Sequence, residues 1–151
     1  MKILMVCLGN ICRSPLAEGI MRKKIEERGL PWIVDSAGTS SWHIGQAPDK
    51  RSIEVAKKYG IDISRQRGRQ IEAKDLETFD FIYAMDTNNL QEILKLASTP
   101  VLQSKVKLIL HESGVRDTEN VPDPYWDDDG FENVYQLLQE ACQNIIENNF
   151  K

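Results

Sequence analysis

The fold is decided by residues 3–15, which read ILMVCLGNICRSP. The first four residues form an apolar run with the length and composition of a strand buried on both faces. After a turn, Ser14 and Pro15 make a helix start, with Ser14 as the cap and Pro15 at the first helical position. Apolar residues then recur at helical spacing until Gly29, which ends the helix. The stretch therefore predicts a strand, a tight loop and a helix.

The rest of the chain continues this alternation. Apolar runs predict strands at residues 32–34, 81–85 and 106–110, and helical spacing predicts helices near residues 53–59 and 87–96. A final helix carries the clearest apolar stripe, made of Phe131, Val134, Tyr135, Leu138, Ala141, Cys142, Ile145 and Ile146.

Strands that alternate with helices are typical of an α/β domain with a parallel sheet. We expect a single domain over residues 1–151, built as a small doubly wound four-stranded parallel sheet with helices on both faces. In such folds the site lies beyond the carboxyl ends of the strands, where the strand order reverses. The loop after the first strand is therefore the expected site.

The composition limits the classes of function. The chain has 151 residues and a net charge of −4, with no basic block that would attract nucleic acid or an anionic membrane surface. It has no apolar run of the roughly 20 residues that a membrane helix needs, and the run after Lys2 is too short for a signal peptide. Its three cysteines argue against a secreted disulfide framework and for reduced thiols. We expect a cytoplasmic protein.

The loop between the first strand and the first helix is suited to binding phosphate. Its backbone N–H groups can converge at the positive end of a helix, and Gly9 and Asn10 allow the backbone conformations of a tight loop. Arg13 offers a planar fork to two phosphate oxygens. The same positive field favours the thiolate form of Cys7, to which Ser14 can donate its hydroxyl hydrogen. We interpret Cys7 as a nucleophile within a phosphate-binding loop.

Each of these residues also has a simpler explanation. Cys7 alone could be a small core residue that ends a strand, Arg13 a surface charge, and Gly9-Asn10 an ordinary turn. The catalytic interpretation is favoured by the combination of Cys, five residues, Arg, Ser and Pro at a strand-to-helix junction. A nucleotide-binding loop is the nearest rival, but the Gly-Lys-Ser/Thr ending of such loops is missing.

A second motif, Asp123-Pro124-Tyr125-Trp126, supplies a candidate acid. A thiolate that attacks phosphorus needs an acid for the leaving oxygen, and Pro124 holds Asp123 in extended geometry on a stiff loop. The two aromatic residues could grip a flat leaving group. The alternative is a proline turn whose aromatic rings pack on the domain, and the motif by itself leaves both interpretations open.

With both motifs in view, the sequence resembles the low-molecular-weight protein tyrosine phosphatase family over essentially the whole chain. The matching segments are residues 6–15, 35–39, 79–86 and 121–125, together with the last helix. The resemblance implies a phosphatase without metal or cofactor, in which Cys7 forms a phosphocysteine, Arg13 binds phosphate and the transition state, and Asp123 serves as acid and then as base. It also implies a phosphotyrosine-containing protein as substrate, inorganic phosphate as product, and a bacterial-type tyrosine kinase as a candidate partner.

The resemblance implies supporting roles for further residues. Phosphate would be surrounded by the loop residues Leu8, Gly9, Asn10, Ile11, Cys12 and Ser14. The substrate ring would lie between three aromatic walls, Trp42, Tyr125 and Trp126. Asn10 and Ser36 match residues that brace the loop. Cys12 matches a cysteine that forms a reversible disulfide with the nucleophile, which would make the enzyme redox-regulated; a small residue packed under the loop is the alternative.

Three rival functions share part of this pattern. Phosphoarginine phosphatases of the same fold favour Thr where this chain has Ile11, which fits an aromatic phosphoester better. Arsenate reductases pass electrons through a further cysteine pair, whereas no cysteine lies between Cys12 and Cys142. A non-catalytic phosphotyrosine-binding module would need neither a nucleophile nor an acid.

Two features lie outside the matching motifs. Gln66 stands where many relatives have His, and because Gln does not titrate, we expect a different hydrogen-bond network behind the loop. The acidic run of residues 127–129 is either a solvated loop before the last helix or a pocket rim that prefers basic residues beside phosphotyrosine.

Overall fold

The sheet of the protein has four strands, and all of them run parallel. The computed structural model describes residues 1–114 and 119–149, and its strands are β1 (Lys2–Cys7), β2 (Ile33–Gly38), β3 (Phe81–Ala84) and β4 (Val106–Leu108). Their order across the sheet is β2-β1-β3-β4. The chain goes from β1 to one side for β2 and then to the other side for β3, so the strand order reverses at β1. The predicted doubly wound α/β fold is confirmed.

Helices connect the strands and cover the sheet. Within the described residues they are α1 (Arg13–Glu27), α2 (Lys50–Lys58), α3 (Ala73–Thr78), α4 (Thr87–Leu94), α5 (Pro100–Gln103), α6 (Ile109–Ser113) and α7 (Gly130–Asn149). None of these described helices combines the length and the apolar character that a bilayer span requires.

β1 is buried on both faces because its side chains alternate between two cores. Ile3, Met5 and Cys7 belong to the core formed with α1, α2, α6 and α7, whereas Leu4 and Val6 belong to the core formed with α3 and α4. All five side chains are at most 2% exposed. Since burying one large aliphatic side chain contributes about 1.5–3 kcal/mol, the strand that ends at Cys7 is firmly anchored.

Two predicted boundaries are wrong for local reasons. The fourth strand ends at Leu108 rather than at residue 110, because residues 109–110 begin α6 and are buried there. A short apolar run does not distinguish a strand from a buried helical turn. Ser14 is not the cap of α1, because the helix already begins at Arg13 with Cys12 in the cap position and no side-chain cap. The Ser14 hydroxyl faces the loop instead.

The prediction also missed the second half of β2 and the short helices α3, α5 and α6. β2 continues past residue 34 to Gly38 because it stays paired with β1 along its whole length, with Gly38 opposite Cys7. Its polar residues Asp35 and Ser36 give no apolar run that would indicate a strand. The backbone pairing, rather than local side-chain pattern, determines where β2 ends.

At Gly38 the loop after β1 packs directly against β2. A Cβ atom at this position would lie 2.8 Å from the carbonyl oxygen of Leu8 and 3.1 Å from the backbone nitrogen of Asn10. Backbone atoms cannot move away as a flexible side chain could, so position 38 has no room for a side chain. The missing side chain allows the loop to approach the carboxyl edge of the sheet.

Candidate active site

The thiol of Cys7 lies at the carboxyl end of β1 and is surrounded by hydrogen-bond donors. Its side chain is 2% exposed. The Cys7 Sγ atom lies 3.0 Å from the Ser14 Oγ atom and accepts a hydrogen bond from the backbone N–H of Asn10 at 3.3 Å. Two groups are therefore placed to donate hydrogen bonds to the sulfur atom.

Asn10 holds the loop in its shape through both its backbone and its side chain. Its φ angle of 57° lies in the left-handed region, which Asn tolerates better than most residues. The Nδ2 group donates to Ser14 Oγ at 2.8 Å and to Ser36 Oγ at 3.0 Å. The backbone N–H of Arg69 donates to Asn10 Oδ1 at 3.1 Å, which fixes the orientation of the amide. The predicted bracing pair, Asn10 and Ser36, is therefore in direct contact.

The hydrogen bonds of this network have a defined direction. Asn10 uses its two amide hydrogens on the oxygen atoms of Ser14 and Ser36, so each hydroxyl keeps its own hydrogen for a further partner. The Ser14 hydroxyl can donate to Cys7 Sγ, its nearer acceptor, and the Ser36 hydroxyl donates to Glu18 Oε1 at 2.6 Å. One side-chain amide thus leaves the Ser14 hydrogen available for Cys7 Sγ or for the Ala37 carbonyl oxygen at 3.4 Å, and the Ser36 hydrogen for a buried carboxylate.

Glu18 is a residue of this network that the sequence analysis missed. It lies in α1, is only 4% exposed, and pairs with Arg22 at 2.9 Å. Burial raises the pKa of its carboxyl group above the ordinary value, while the hydrogen bond from Ser36 and the charge of Arg22 oppose this shift. No local signal marks Glu18, because a glutamate in a helix is usually exposed.

Gln66, the departure from the family pattern, packs behind the loop. Its Nε2 group donates to the carbonyl oxygen of Pro15 in α1 at 3.1 Å. Its Oε1 atom is buried and has no hydrogen-bond partner within the described residues. Gln66 thus supports the start of α1 through one neutral hydrogen bond.

Arg13 is a buried cation whose charge is balanced by carboxylates. Its Nη1 atom donates to Asp86 Oδ2 at 2.6 Å and to the carbonyl oxygen of Val121 at 3.0 Å. Its Nη2 atom lies 3.8 Å from Asp123 Oδ2. Burial by itself lowers the pKa of Arg13, but the neighbouring Cys7, Asp86 and Asp123 raise it by more. The pKa is therefore above its ordinary value, and the guanidinium stays charged.

Asp86 was not assigned a role from the sequence, although its position carries a signal. It follows β3 at the same carboxyl edge as the loop after β1, and its Oδ1 atom caps α4 by accepting from the Asn89 N–H at 2.7 Å. An acidic residue directly after a central parallel strand is placed to face the site. Asp86 therefore links Arg13 to the rigid start of a helix.

One pocket brings the predicted site residues together. It has a volume of about 300 Å³ and is lined by Cys7, Leu8, Gly9, Ile11, Cys12, Arg13, Trp42, His43, Asp123, Tyr125 and Trp126. Asn10, Ser14 and Ser36 lie outside this lining, and the Asn10 amide is hydrogen-bonded to both hydroxyl groups. The pocket thus has a thiol and a guanidinium among its walls, together with a carboxylate and aromatic side chains.

The aromatic walls are largely open to solvent. Trp42 is 69% exposed and Trp126 is 90% exposed, and the Trp126 ring meets the Tyr125 ring edge-on at 4.8 Å between centroids. His43 joins the lining beside Gly9, and its Nδ1 atom lies 2.9 Å from Gln46 Oε1. Aromatic surface of this kind is suited to an apolar, planar ligand.

Cys12 lines the same pocket, and all three cysteines of the chain are free thiols. Burial, together with the nearby charge of Asp49, raises the pKa of the Cys12 thiol to about 12. Cys12 is therefore a neutral thiol near pH 7. Cys142 is fully buried in α7 and belongs to the core, as its place on the apolar stripe predicted.

The acidic run of residues 127–129 is partly engaged in local contacts. Asp128 Oδ1 accepts a hydrogen bond from Arg51 at 2.5 Å, and Asp127 Oδ1 accepts from the Asp129 N–H at 3.0 Å. A preference of this rim for basic substrate residues stays a prediction.

Within residues 1–114 and 119–149, no group of three or more His, Cys, Asp or Glu side chains is arranged to hold a metal ion.

The chain is similar to known proteins over nearly its whole length. A sequence profile described as low molecular weight phosphotyrosine protein phosphatase matches residues 2–150. The human low molecular weight phosphotyrosine protein phosphatase is 41% identical over 151 residues, which cover 96% of this chain and 93% of the human protein.

Two solved structures with the same fold extend the comparison. A protein tyrosine phosphatase from Entamoeba histolytica, with Hepes in its active site, has a TM-score of 0.92 at 40% identity and covers 98% of this chain and 96% of its own. A Drosophila arginine phosphatase has a TM-score of 0.93 at 36% identity, and the match covers 100% of this chain and 99% of that one.

The bracing network predicts the effect of changing Asn10. Asn10→Ala removes three side-chain hydrogen bonds and places Ala at a left-handed φ, so we expect the affinity for inorganic phosphate to fall about tenfold or more. Phosphate titrations followed by NMR chemical shifts measure this change. Asn88→Ala, at an exposed position of α4, serves as the control and should keep the full affinity. An unchanged affinity in Asn10→Ala would refute the bracing role.

Proposed function

The chain belongs to the low molecular weight phosphotyrosine protein phosphatase family, and on this premise we propose that it hydrolyses phosphotyrosine in proteins through a phosphocysteine on Cys7. The observation that carries this proposal is the convergence of Cys7, Arg13 and Asp123 on one pocket with aromatic walls. The catalytic unit is the whole single domain, since the family match runs from residue 2 to residue 150.

In the first step, the Cys7 thiolate attacks phosphorus, and an S–P bond forms. The bond between phosphorus and the tyrosyl oxygen breaks while Asp123 transfers its proton to that oxygen. Arg13 binds two phosphate oxygens with its Nε and Nη2 edge, since Nη1 is occupied by Asp86 and Val121. The backbone N–H groups of residues 8–13 hold the phosphate oxygens at the start of α1.

In the second step, water hydrolyses the phosphocysteine. The Asp123 carboxylate takes a proton from the water, a new O–P bond forms, and the S–P bond breaks. Inorganic phosphate leaves, and Cys7 returns to the thiolate form. The Ser14 hydroxyl assists cleavage of the S–P bond because it can donate its hydrogen to the departing sulfur. In this proposal Arg13 and the loop N–H groups balance the charge of the phosphate oxygens, and the two steps use no metal or cofactor.

The walls of the pocket favour an aromatic phosphoester over phosphoarginine. Ile11 presents an apolar side chain to the pocket where phosphoarginine phosphatases favour Thr, and Trp42 and Tyr125 add aromatic surface against which a phenyl ring can pack. The similarity to an arginine phosphatase keeps phosphoarginine as the second candidate substrate. A bacterial-type tyrosine kinase is a candidate partner, because such a kinase transfers to tyrosine the phosphoryl group that this reaction removes.

We further propose that Cys12 protects Cys7 from over-oxidation. A peroxide would oxidise the Cys7 thiolate to a sulfenic acid, and Cys12 would then attack that sulfur to form a disulfide with release of water. The raised pKa of Cys12 keeps it protonated near pH 7, so Cys7 is the first of the two to react with the oxidant. A dithiol reductant would restore both thiols.

The first prediction concerns substrate class and nucleophile. We expect phosphotyrosine peptides to be hydrolysed with a kcat/KM at least about tenfold above that of matched phosphoarginine peptides, since discrimination by wall contacts is worth about 1–3 kcal/mol. Release of inorganic phosphate is the measurement. Cys7→Ser should abolish release from both peptides yet still bind vanadate. A faster reaction with phosphoarginine would overturn the substrate assignment, and full turnover in Cys7→Ser would overturn the mechanism.

The second prediction concerns the acid. Asp123→Asn should lower kcat/KM for phenyl phosphate by about 10²-fold to 10⁴-fold, and far less for p-nitrophenyl phosphate, because a good leaving group needs little protonation. Steady-state kinetics with both esters provide the comparison. Asp127→Asn, a change at an exposed residue of the same loop, is the control. Equal losses for the two esters would exclude Asp123 as the acid.

The third prediction concerns redox protection. After brief treatment with peroxide, the wild type should regain most of its activity with a dithiol, whereas Cys12→Ser should lose activity permanently. Protection should be stronger at pH 8.5 than at pH 6.5, since the thiolate fraction of a group with a pKa of about 12 rises about tenfold per pH unit. Cys142→Ser is the control for a buried cysteine. Equal recovery of wild type and Cys12→Ser would contradict the protective role.

A further inference from the structure

The first turn of α2 is attached to the phosphate loop, residues 7–14. The backbone N–H of Asp49, which precedes α2, donates to the carbonyl oxygen of Ile11 at 2.7 Å. The fully buried Ser52 donates from its hydroxyl to the carbonyl oxygen of Cys12 at 3.2 Å. Two consecutive carbonyl groups of the phosphate loop are thus bound by one helical turn.

Arg51, in the same turn, contacts the acid loop, residues 119–129. Its Nη1 atom donates to Asp128 Oδ1 at 2.5 Å, and its guanidinium carbon lies 5.6 Å from the centroid of the Tyr125 ring. The Tyr125 N–H donates to Asp123 Oδ1 at 3.1 Å. The guanidinium therefore contacts two residues of the acid loop, and one of them, Tyr125, is hydrogen-bonded through its backbone to the Asp123 carboxyl group.

The other side of the Arg51 side chain is fixed by Asp49 and Phe131. Its Nε and Nη2 atoms donate to the two carboxylate oxygens of Asp49 at 3.0 and 2.9 Å, which is a bidentate arrangement. The guanidinium carbon also lies 4.6 Å from the ring of Phe131, a buried residue in the first turn of α7. These contacts hold Arg51 in one orientation.

A single exposed ion pair contributes little, and Asp128 is 84% exposed, so the Arg51–Asp128 contact alone would not fix a loop. The contacts of Arg51 together constrain the loop more than this pair does alone. Asp49 holds the guanidinium so that its face packs against aromatic rings and its edge reaches Asp128. Asp49 keeps the charge that this needs, since the hydrogen bonds from Arg51 lower the pKa of its carboxyl group.

We propose that Arg51 is a positioning residue that sets the spacing between Cys7 and Asp123 by joining the phosphate loop to the acid loop. The proposal rests on the role of Asp123 as the acid. Proton transfer requires the carboxyl group within about 2.6–3.2 Å of the leaving oxygen, and a misplacement of about 1 Å can cost on the order of 10²-fold in rate. A residue that touches neither substrate nor sulfur can therefore control the protonation step.

The experiment compares Arg51→Ala with wild type on two aryl phosphates. We expect kcat/KM for phenyl phosphate to fall about fivefold and that for p-nitrophenyl phosphate to change less than about twofold, because only the poor leaving group depends on the acid. Arg51→Lys keeps the charge but loses the bidentate contact and should give an intermediate loss. Asp128→Asn, at an exposed position, should give a smaller loss in the same direction.

Lys58→Ala is the matched control. Lys58 also lies in α2 and also pairs with an acidic residue near the start of α7, Glu132, whose other hydrogen bonds go to Tyr59 and Gln136 rather than to the acid loop. We expect no dependence on the leaving group in this variant. A second control combines Arg51→Ala with Asp123→Asn, where the loss caused by Arg51→Ala should disappear because the acid through which it acts is gone.

The outcomes separate the two proposals. If Asp123→Asn depends on the leaving group and Arg51→Ala does not, the positioning role is refuted while the mechanism stands. Equal losses in Arg51→Ala for both esters, or an equal effect in Lys58→Ala, would also refute it. If Asp123→Asn itself shows no dependence on the leaving group, the proposed acid is wrong, whatever Arg51→Ala does.

Discussion

The side-chain amide of Asn10 is the interaction on which the rest of the site depends. The residue occupies a left-handed conformation, which costs about 1–2 kcal/mol for an ordinary residue and less for Asn. Its three side-chain hydrogen bonds, each contributing about 1 kcal/mol, offset that cost. They also join the loop to Ser14 in α1, to Ser36 in β2 and to the backbone of Arg69. Because this amide donates to Ser14 Oγ, the hydroxyl hydrogen of Ser14 stays available for Cys7.

The site must also stabilise a buried cation when no phosphate is bound. An unpaired buried guanidinium would cost several kcal/mol, and Arg13 is only 2% exposed. Asp86 and the Val121 carbonyl occupy Nη1 and compensate for the lost hydration. Because both use the same nitrogen, the opposite edge of the guanidinium remains available for an anion in the pocket. Arg13 thus keeps donors for an anion although the chain has a net charge of −4.

The sequence was informative wherever the signal was local. An apolar run, a Cys and an Arg separated by five residues, and a helix start define β1, the loop and α1. The Asp123-Pro124 pair marks the acid loop. The resemblance to a known family added Ser36 and Trp42, which local patterns do not identify.

Where the outcome depended on distant partners, sequence reasoning failed. The local pattern predicts that Ser14 both caps α1 and contacts Cys7, and only the packing of the loop shows that the first role is wrong. Glu18, Asp86 and Arg51 lie in unremarkable local contexts, and their roles arise from partners 18, 73 and 77 residues away. The error in β4 has the same cause, since residues 109–110 are apolar enough for either element and the core on the α7 side of the sheet selects the helix.

The hydrogen-bond partners of Arg13 lie far from it in the chain, and this affects how fast the pocket forms during folding. Its two hydrogen-bond partners are 73 and 108 residues away, so the pocket closes only when the segments after β1, after β3 and before α7 have all come together. Contacts of such long range form slowly, because loop-closure entropy opposes them until the intervening structure is in place. A partly folded chain therefore has the thiol but not the guanidinium in its working position. The recovery of anion binding during refolding would report the completion of the whole fold, rather than the formation of the strand and helix that carry the loop.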